Sequence, residues 1–243
     1  MDITKHLDRC IGLFDRVQLA ETFRMQGEFA IIENGLDAEV LNPLLDSLSG
    51  LNDSIYRSYI PGHKKGGSIS RHVIDKHSEL YKKFYSAANW TLFLSDTIGK
   101  TLLECPVTDP HTYALYYYTK AGDHIGYHYD TSYYQGERFT VLIGLVNRSS
   151  CLLEYELHTK DPSKENEKGS VALNPGTIVM FNGDRLRHRV TPNKAGEQRI
   201  ALTLEYLTDT RMTTYQKFIS NVKDSIAYFG FRQVFGSGRS NSR

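Results

Sequence analysis

The sequence predicts an α+β fold in which helices precede a double-sheet jelly roll. The main observation is a change of periodicity, because apolar residues recur at helical spacing before residue 112 and alternate with period two after it. Turn residues such as Gly122, Gly136 and Pro175-Gly176 separate the alternating segments. Eight short strands that follow several helices favour a jelly-roll body, with the N-terminal helices buttressing one of its sheets.

The individual elements follow from the same patterns. In the N-terminal part we predict a strand over 29–33, a helix over 36–48, a Gly- and Lys-rich loop over 56–70, a helix from about Val73 to Ala88, and another through Leu94, Ile98 and Leu102 that ends at Pro106. The eight strands are predicted at 112–119, 126–130, 138–147, 151–158, 169–173, 177–182, 187–191 and 198–207.

The domain organisation predicted is a single domain over residues 1–235. It comprises a helical part (1–110), a jelly-roll core (111–208) and a C-terminal helix or lid (209–235), in which Tyr228, Phe229 and Phe231 either cover the site or simply pack. The polar segment 236–243 is predicted to be a disordered tail.

Composition excludes several classes of partner. The 243-residue chain has 29 basic and 28 acidic residues, so its net charge gives no general attraction to nucleic acid or acidic lipid. No apolar run reaches the roughly 18 residues of a membrane span, and the N-terminus has no signal-peptide core. Three widely separated cysteines suit a reducing compartment, so we expect a cytoplasmic protein that binds neither nucleic acid nor membrane. Homo-oligomerisation is left open.

The segment His128-Tyr129-Asp130 supplies the first candidate site. Side chains two residues apart on a strand point the same way, so His128 and Asp130 can offer a nitrogen and an oxygen to one point. Such a pair is two thirds of the facial triad that binds non-haem Fe(II). His188, which follows the predicted strand 177–182, is the candidate for the third ligand.

These residues, in this order, resemble the Fe(II)/2-oxoglutarate-dependent dioxygenases over residues 112–207. The resemblance implies a double-stranded β-helix (cupin-like) core, iron held by His128, Asp130 and His188, and O2 as the oxidant. It also implies that Arg199 binds the far carboxylate of the co-substrate 2-oxoglutarate. Tyr118 is a candidate second contact of the co-substrate, and it could instead be a core or pocket-wall residue. A non-catalytic jelly-roll binding module is the alternative, and the intact ligand set argues against it.

The strand that begins at Arg199 separates into two faces. Arg199, Ala201, Thr203 and Glu205 lie on one face, which we expect at the mouth of the barrel. The other face carries Ile200, Leu202, Leu204 and Tyr206, which we expect to pack under the helices. Thr203 and Glu205 could instead be ordinary solvent-facing residues of an amphipathic strand.

A closer resemblance concerns the segment 128–147, which is similar to the radical halogenases and hydroxylases of free amino acids, best known for lysine. In those halogenases a glycine replaces the carboxylate ligand and opens a chloride site on the iron. Because this chain has Asp130, the resemblance implies hydroxylation of an unactivated C–H, with succinate and CO2 as co-products. L-lysine is the first candidate substrate, and ornithine or another basic amino acid stays open.

The same group implies the substrate contacts. Arg71 is expected to bind the substrate carboxylate, and Thr203 and Glu205 an ammonium group. His124 is a separate candidate to line the site. Arg71 could instead be a surface residue at a helix start, and His124 a histidine satisfied within its loop. The alternative functions are an oxygenase of a protein residue or of another small metabolite, and an amino-acid halogenase.

Overall fold

The computed structural model describes residues 2–212. Its helices are α1 (Ile3–Ile11), α2 (Arg16–Met25), α3 (Ala38–Leu48), a 3-10 helix (Ser49–Ser54), α4 (Arg71–His77), α5 (Leu80–Tyr85) and α6 (Ala88–Ile98). The first three α-helices begin at an aspartate, Asp2, Asp15 or Asp37, whose carboxylate accepts hydrogen bonds from backbone N–H groups of the first turn. Most of the predicted lid, its aromatic residues Tyr228, Phe229 and Phe231, and the tail lie outside the described residues. The single-domain organisation stays a prediction.

Twelve strands form one sheet. They are β1 (Phe29–Ile32), β2 (Tyr56–Ile60), β3 (Lys64–Ser70), β4 (Leu103–Glu104), β5 (Tyr113–Tyr118), β6 (His124–His128), β7 (Arg138–Arg148), β8 (Leu153–Leu157), β9 (Glu167–Val171), β10 (Ile178–Asn182), β11 (Arg187–Val190) and β12 (Gln198–Leu207). The last eight match the eight predicted strands to within a few residues at each end.

The sheet is antiparallel throughout its main path, with the strand order β1-β10-β7-β12-β5-β3-β6-β11-β8-β9. It curls so that its two halves face each other, because Thr140 of β7 contacts Asp130, which follows β6, four places from β7 in the strand order. His128, Asp130, His188 and Arg199 meet in the interior of this curled sheet. The α+β prediction is therefore confirmed.

The helices cover the outer face of the larger half of the sheet. Ile200, Leu202, Leu204 and Tyr206 of β12 lie in one apolar cluster with side chains of α3 and α6, such as Leu44 and Trp90. The predicted outward packing of that face is thus confirmed. Its alternate residues, Arg199 to Glu205, are left facing the interior.

The N-terminal part departs from the predictions. The predicted loop 56–70 is wrong: it is the hairpin β2–β3, and β3 lies between β5 and β6 inside the sheet. The segment from Val73 to Ala88, predicted as one helix, is divided: it contains α4 and α5, and α6 begins at its end. The next helix ends early, because Gly99 adopts a left-handed conformation with φ 73° that terminates α6.

None of the helices described in residues 2–212 is long and apolar enough to cross a bilayer. Cys10, Cys105 and Cys151 are buried and form no disulfide.

Candidate active site

His128, Asp130 and His188 come together where strands β6 and β11 pair. His188 is the direct cross-strand partner of His128, and their ring centroids are 4.2 Å apart. Asp130 Oδ1 lies 3.3 Å from His128 Nε2, and its Oδ2 lies 3.7 Å from His188 Nε2. One ligand atom of each residue lies within 4.8 Å of the others, which is close enough for a shared metal ion. These are the three residues that the sequence predicted as iron ligands.

The two histidines are oriented by the backbone. His128 Nδ1 is 2.8 Å from the Gly126 carbonyl oxygen, and His188 Nδ1 is 3.4 Å from that of Leu186. A carbonyl accepts only from the tautomer that carries its proton on Nδ1, so Nε2 is left with a lone pair for a metal. This arrangement is typical of metal-binding histidines, and the donor set of two imidazoles and one carboxylate suits Fe(II).

Burial and mutual charge set the ionisation of these groups. Burial and the nearby His128 lower the pKa of His188 to about 4, so its imidazole is neutral at neutral pH. Burial opposes ionisation of Asp130, but the neighbouring His188 and His128 outweigh it and hold the pKa of the carboxyl well below its usual value. Burial also opposes protonation of His128, yet its contact with Asp130 raises its pKa. A metal cation at this point would replace the His128 proton.

Arg199, at the start of β12, is buried in the same interior. Its guanidinium carbon lies 4.9 Å from the ring centroid of its cross-strand neighbour Tyr118. Its Nε has no hydrogen-bond partner, and no ion pair within residues 2–212 includes it. An unpaired buried donor of this kind is costly, so the site fits an anionic ligand such as a carboxylate.

A cavity of about 350 Å³ connects the two features. It holds the three candidate ligands, Arg199 and Tyr118, the inward residues Thr203 and Glu205, and further polar and apolar side chains. Its full lining is Ile60, His63, His111, Tyr116, Tyr118, Ile125, His128, Tyr129, Asp130, Thr131, Tyr133, Arg138, Leu142, Leu153, His188, Val190, Arg199, Ala201, Thr203 and Glu205. This size is in the range of small-molecule sites.

A cluster of buried charges borders the cavity around Glu205. Arg138 Nε lies 3.9 Å from Glu205 Oε2, and Arg138 Nη2 lies 3.4 Å from Asp109 Oδ2. Burial raises the pKa of Glu205 well above its usual value, although the charge of Arg138 opposes this. For Asp109, Arg138 and a hydrogen bond from Tyr134 outweigh burial and lower the pKa. One cation therefore faces two carboxyls, of which Glu205 opens on the cavity.

Two of the predicted substrate residues are not brought to the cavity. Arg71 is the first residue of α4, where its guanidinium lies 3.3 Å from Asp75 and 5.0 Å from the centroid of the Tyr113 ring. Tyr113 belongs to the cluster under the helices, on the other face of β5. His124 is half-buried, and its Nδ1 is 2.8 Å from the Gly122 carbonyl oxygen. Arg71 does begin a helix, as its alternative stated, but it is buried and not at the surface. The placement of His124 matches its alternative, a histidine satisfied within its own loop.

The sequence patterns did not single out several polar residues in the cavity lining or next to it. His63 lies on the turn of the β2–β3 hairpin, with its ring 5.8 Å from that of His128, and His111 precedes β5. Burial lowers the pKa of His111 to about 4. Arg138 and Thr140 lie on β7 at alternate positions, on the face opposite Phe139 and Val141. Two polar residues at this spacing in an otherwise apolar strand were the available signal.

Comparisons with known proteins agree with this arrangement in part. The family model described as "HalD: Halogenase D" matches residues 24–135, which is less than half of the chain and includes His128 and Asp130. No curated protein matches the sequence.

Solved structures match over most of the chain. The epimerase SnoN from nogalamycin biosynthesis, described as non-heme and alpha ketoglutarate dependent, has a TM-score of 0.65 at 14% identity, covering 79% of this chain and 80% of its own. An oxidoreductase of the 2OG-Fe(II) oxygenase family from Burkholderia pseudomallei has a TM-score of 0.65 at 18% identity, with coverages of 83% and 95%. A Trichoplax adhaerens prolyl hydroxylase has a TM-score of 0.63 at 16% identity, with coverages of 84% and 92%. SnoN has also been solved with Fe3+ and alpha ketoglutarate. The chain thus has the double-stranded β-helix fold of the 2-oxoglutarate-dependent oxygenases, as predicted.

Proposed function

We propose that this protein is an Fe(II)- and 2-oxoglutarate-dependent hydroxylase of a free basic amino acid. The observation that carries the proposal is that a His-Asp-His set and a buried arginine without a carboxylate partner open on one cavity. The oxygenase fold supports the same reaction class. We keep L-lysine as the first candidate substrate.

His128, Asp130 and His188 would hold the iron, and Arg199 the far carboxylate of 2-oxoglutarate. When bound, the iron and 2-oxoglutarate supply an O2-dependent oxidation that releases succinate and CO2. The protein's own contribution is position and access. The carbonyls of Gly126 and Leu186 fix the imidazoles, and Tyr118 holds the guanidinium plane. Apolar walls that include Leu142, Leu153 and Val190 limit water around the reacting C–H.

Glu205 supports a cationic substrate. Arg138 can balance only one of the two carboxyls beside it, so ionised Glu205 would leave one negative charge buried in the cavity. An ammonium group at Glu205, with Thr203 beside it on the same face of β12, would balance that charge. An apolar substrate could not. Arg71 and His124 are not included in this proposal, because they lie outside the cavity lining.

A halogenase is the second candidate, because the family model that matches residues 24–135 is a halogenase model. Asp130 argues against it. Its carboxylate occupies the position that the halogenases of the resembling group leave for chloride, and it is held there by Thr140 and both histidines. With chloride present, we expect a product heavier by one oxygen atom; a chlorinated product would establish the second candidate.

The direct test is to load the protein anaerobically with Fe(II) and 2-oxoglutarate, add a panel of free amino acids, and admit O2. We expect succinate release that depends on L-lysine or a close analogue such as ornithine, and no release from His188→Ala. Succinate release that is the same with every amino acid and with none would reject the amino-acid assignment. Loss of iron binding in His188→Ala, measured separately, would show that the triad holds the metal.

A further inference from the structure

Thr140 connects the candidate metal centre to the substrate end of the cavity. Its hydroxyl oxygen lies 3.0 Å from Asp130 Oδ2 and 3.0 Å from Glu205 Oε2. Thr140 and Glu205 are direct cross-strand partners on β7 and β12, so the backbone ladder fixes their separation. Asp130 reaches the same hydroxyl from the opposite half of the sheet. A single side chain therefore contacts a candidate metal ligand and a candidate substrate ligand.

The hydroxyl has one proton, which it can donate to one oxygen at a time. Both neighbours are carboxyl oxygens that can accept this proton, so Glu205 Oε2 competes with Asp130 Oδ2 for the donor. A cation that hydrogen-bonds Glu205 satisfies the Glu205 oxygen and leaves the Thr140 proton to Asp130. The hydrogen bond to Asp130 Oδ2 then fixes the carboxylate, whose Oδ1 lies near His128 and whose Oδ2 also lies near His188.

We propose that Thr140 is a positioning residue through which an ammonium group at Glu205 strengthens the hold of Asp130 on the metal. This inference rests on the proposed function, since it requires a metal at the triad and an amine at Glu205. It goes beyond that function by coupling the two sites. With such coupling, the metal centre would be fully ordered only when substrate is bound.

Linkage makes the coupling measurable from either side. If the amine tightens metal binding by some factor, the metal tightens amine binding by the same factor. The surrounding charges keep the effect local, because Arg138 is 3.9 Å from Glu205 and is also engaged by Asp109, which accepts a hydrogen bond from Tyr134. Removing the Thr140 hydroxyl should therefore break the coupling while leaving the Arg138–Asp109 pair in place.

The experiment measures the dissociation constant of Mn(II) by electron paramagnetic resonance of the free ion, at saturating 2-oxoglutarate, with and without L-lysine. For the wild type we expect L-lysine to tighten Mn(II) binding about fivefold or more. For Thr140→Val we expect Mn(II) binding to weaken about tenfold without L-lysine and to respond to it no further. Thr140→Ser, which keeps the hydroxyl, should restore both properties.

Thr203→Val is the matched control. Thr203 lies on the same inner face as Glu205, so this variant should weaken L-lysine binding and yet retain the full effect of saturating L-lysine on Mn(II). If Thr140→Val does not fold, Thr140→Ala and Thr140→Ser give the same comparison. A wild-type Mn(II) constant that L-lysine does not change, or a Thr140→Val protein that responds as the wild type does, overturns the inference. Wild-type protein that binds no Mn(II), or His188→Ala that binds it equally well, overturns the proposed function as well.

Discussion

Arg199 carries a positive charge that no carboxylate within residues 2–212 is close enough to pair with. Burial lowers its pKa, and its Nε has no hydrogen-bond partner among those residues. If the partner is 2-oxoglutarate, Arg199→Ala should raise the KM for 2-oxoglutarate about 100-fold, because hydrogen bonds to a charged group are lost. Arg199→Lys should recover part of the loss, since an ammonium keeps the charge but not the paired donors.

Arg189→Ala is the control for this prediction. Arg189 is partly exposed and pairs with Glu154 at 2.6 Å, away from the cavity lining. The KM for 2-oxoglutarate of this variant should equal that of the wild type. An unchanged KM in Arg199→Ala would show that the co-substrate carboxylate binds elsewhere.

Glu205 predicts a dependence of folding stability on pH. Burial raises its pKa in the folded protein above the usual 4.5. As the pH rises above 4.5, the unfolded chain loses this proton while the folded protein retains it, so folding stability falls with pH through that window. Glu205→Gln carries no such penalty. In thermal unfolding, the midpoint of Glu205→Gln should therefore lie a few degrees above that of the wild type at about pH 8. At about pH 5 the difference should be smaller.

Glu154→Gln should behave in the opposite way. The hydrogen bond from Arg189 lowers the pKa of Glu154, so this carboxylate contributes stability above pH 4.5 that is lost as the pH falls through its folded pKa. The substitution should lower the midpoint by about the same amount at pH 8 and at pH 5, and by less at about pH 3. Equal midpoint changes for Glu205→Gln at the two values would contradict a buried, protonated Glu205.

At the residue level, the meeting of side chains could be predicted where chemistry and spacing coincide. His128 and Asp130 are two residues apart on one strand, so their convergence follows from the strand geometry. Their meeting with His188 depended on the resemblance and on the order of the motifs. Arg138 and Thr140 were missed because their roles arise from cross-sheet contacts with Glu205 and Asp130, which no local pattern encodes.

At the scale of elements, the turn between β10 and β11 supports Asp130. Gly183 follows β10, and a Cβ at that position would lie 2.5 Å from the Asp130 carbonyl oxygen and 2.9 Å from its Cβ. Gly183→Ala must therefore displace Asp130. We expect Mn(II) binding to weaken about tenfold, because the ligand is moved from its place. Mn(II) titration checks this directly.

The comparison variant for this turn is Gly50→Ala. Gly50 is exposed in the 3-10 helix, and nothing lies within 4 Å of a Cβ built there. Its Mn(II) affinity should be that of the wild type. If Gly183→Ala binds Mn(II) as tightly as Gly50→Ala does, the close approach of Gly183 does not position Asp130.

The β2–β3 hairpin shows why one element was mispredicted. Its glycines and lysines are typical of a loop. At Gly67, however, there is no room for a side chain, because a Cβ would lie 2.6 Å from Ile55 and 3.1 Å from Tyr117. Glycine here reflects close packing within a sheet. The strands after residue 112 were predicted well because apolar and polar residues alternate along them, as expected for strands with one apolar and one polar face.

At the scale of the whole molecule, the helical layer and the curled sheet share one apolar interface. Trp90, the only tryptophan, is fully buried in α6, and its ring centroid lies 5.4 Å from that of Phe84. Leu202 of β12 is fully buried in the same cluster while its neighbours on the strand, Ala201 and Thr203, line the cavity. The two layers are thus joined by the strand that also carries Arg199.

We therefore expect the helical layer and the active site to unfold together. Trp90 fluorescence reports the helical layer, and retention of Mn(II) reports the sheet interior. Their midpoints in a denaturant titration of the wild-type protein with Mn(II) should coincide.

Leu202→Ala should lower the free energy of unfolding by about 2–5 kcal/mol and shift both midpoints equally. Val107→Ala, at an exposed apolar position outside the regular elements, should shift neither. Separate transitions, or a Leu202→Ala shift confined to Trp90, would show that the N-terminal helices fold independently of the jelly roll.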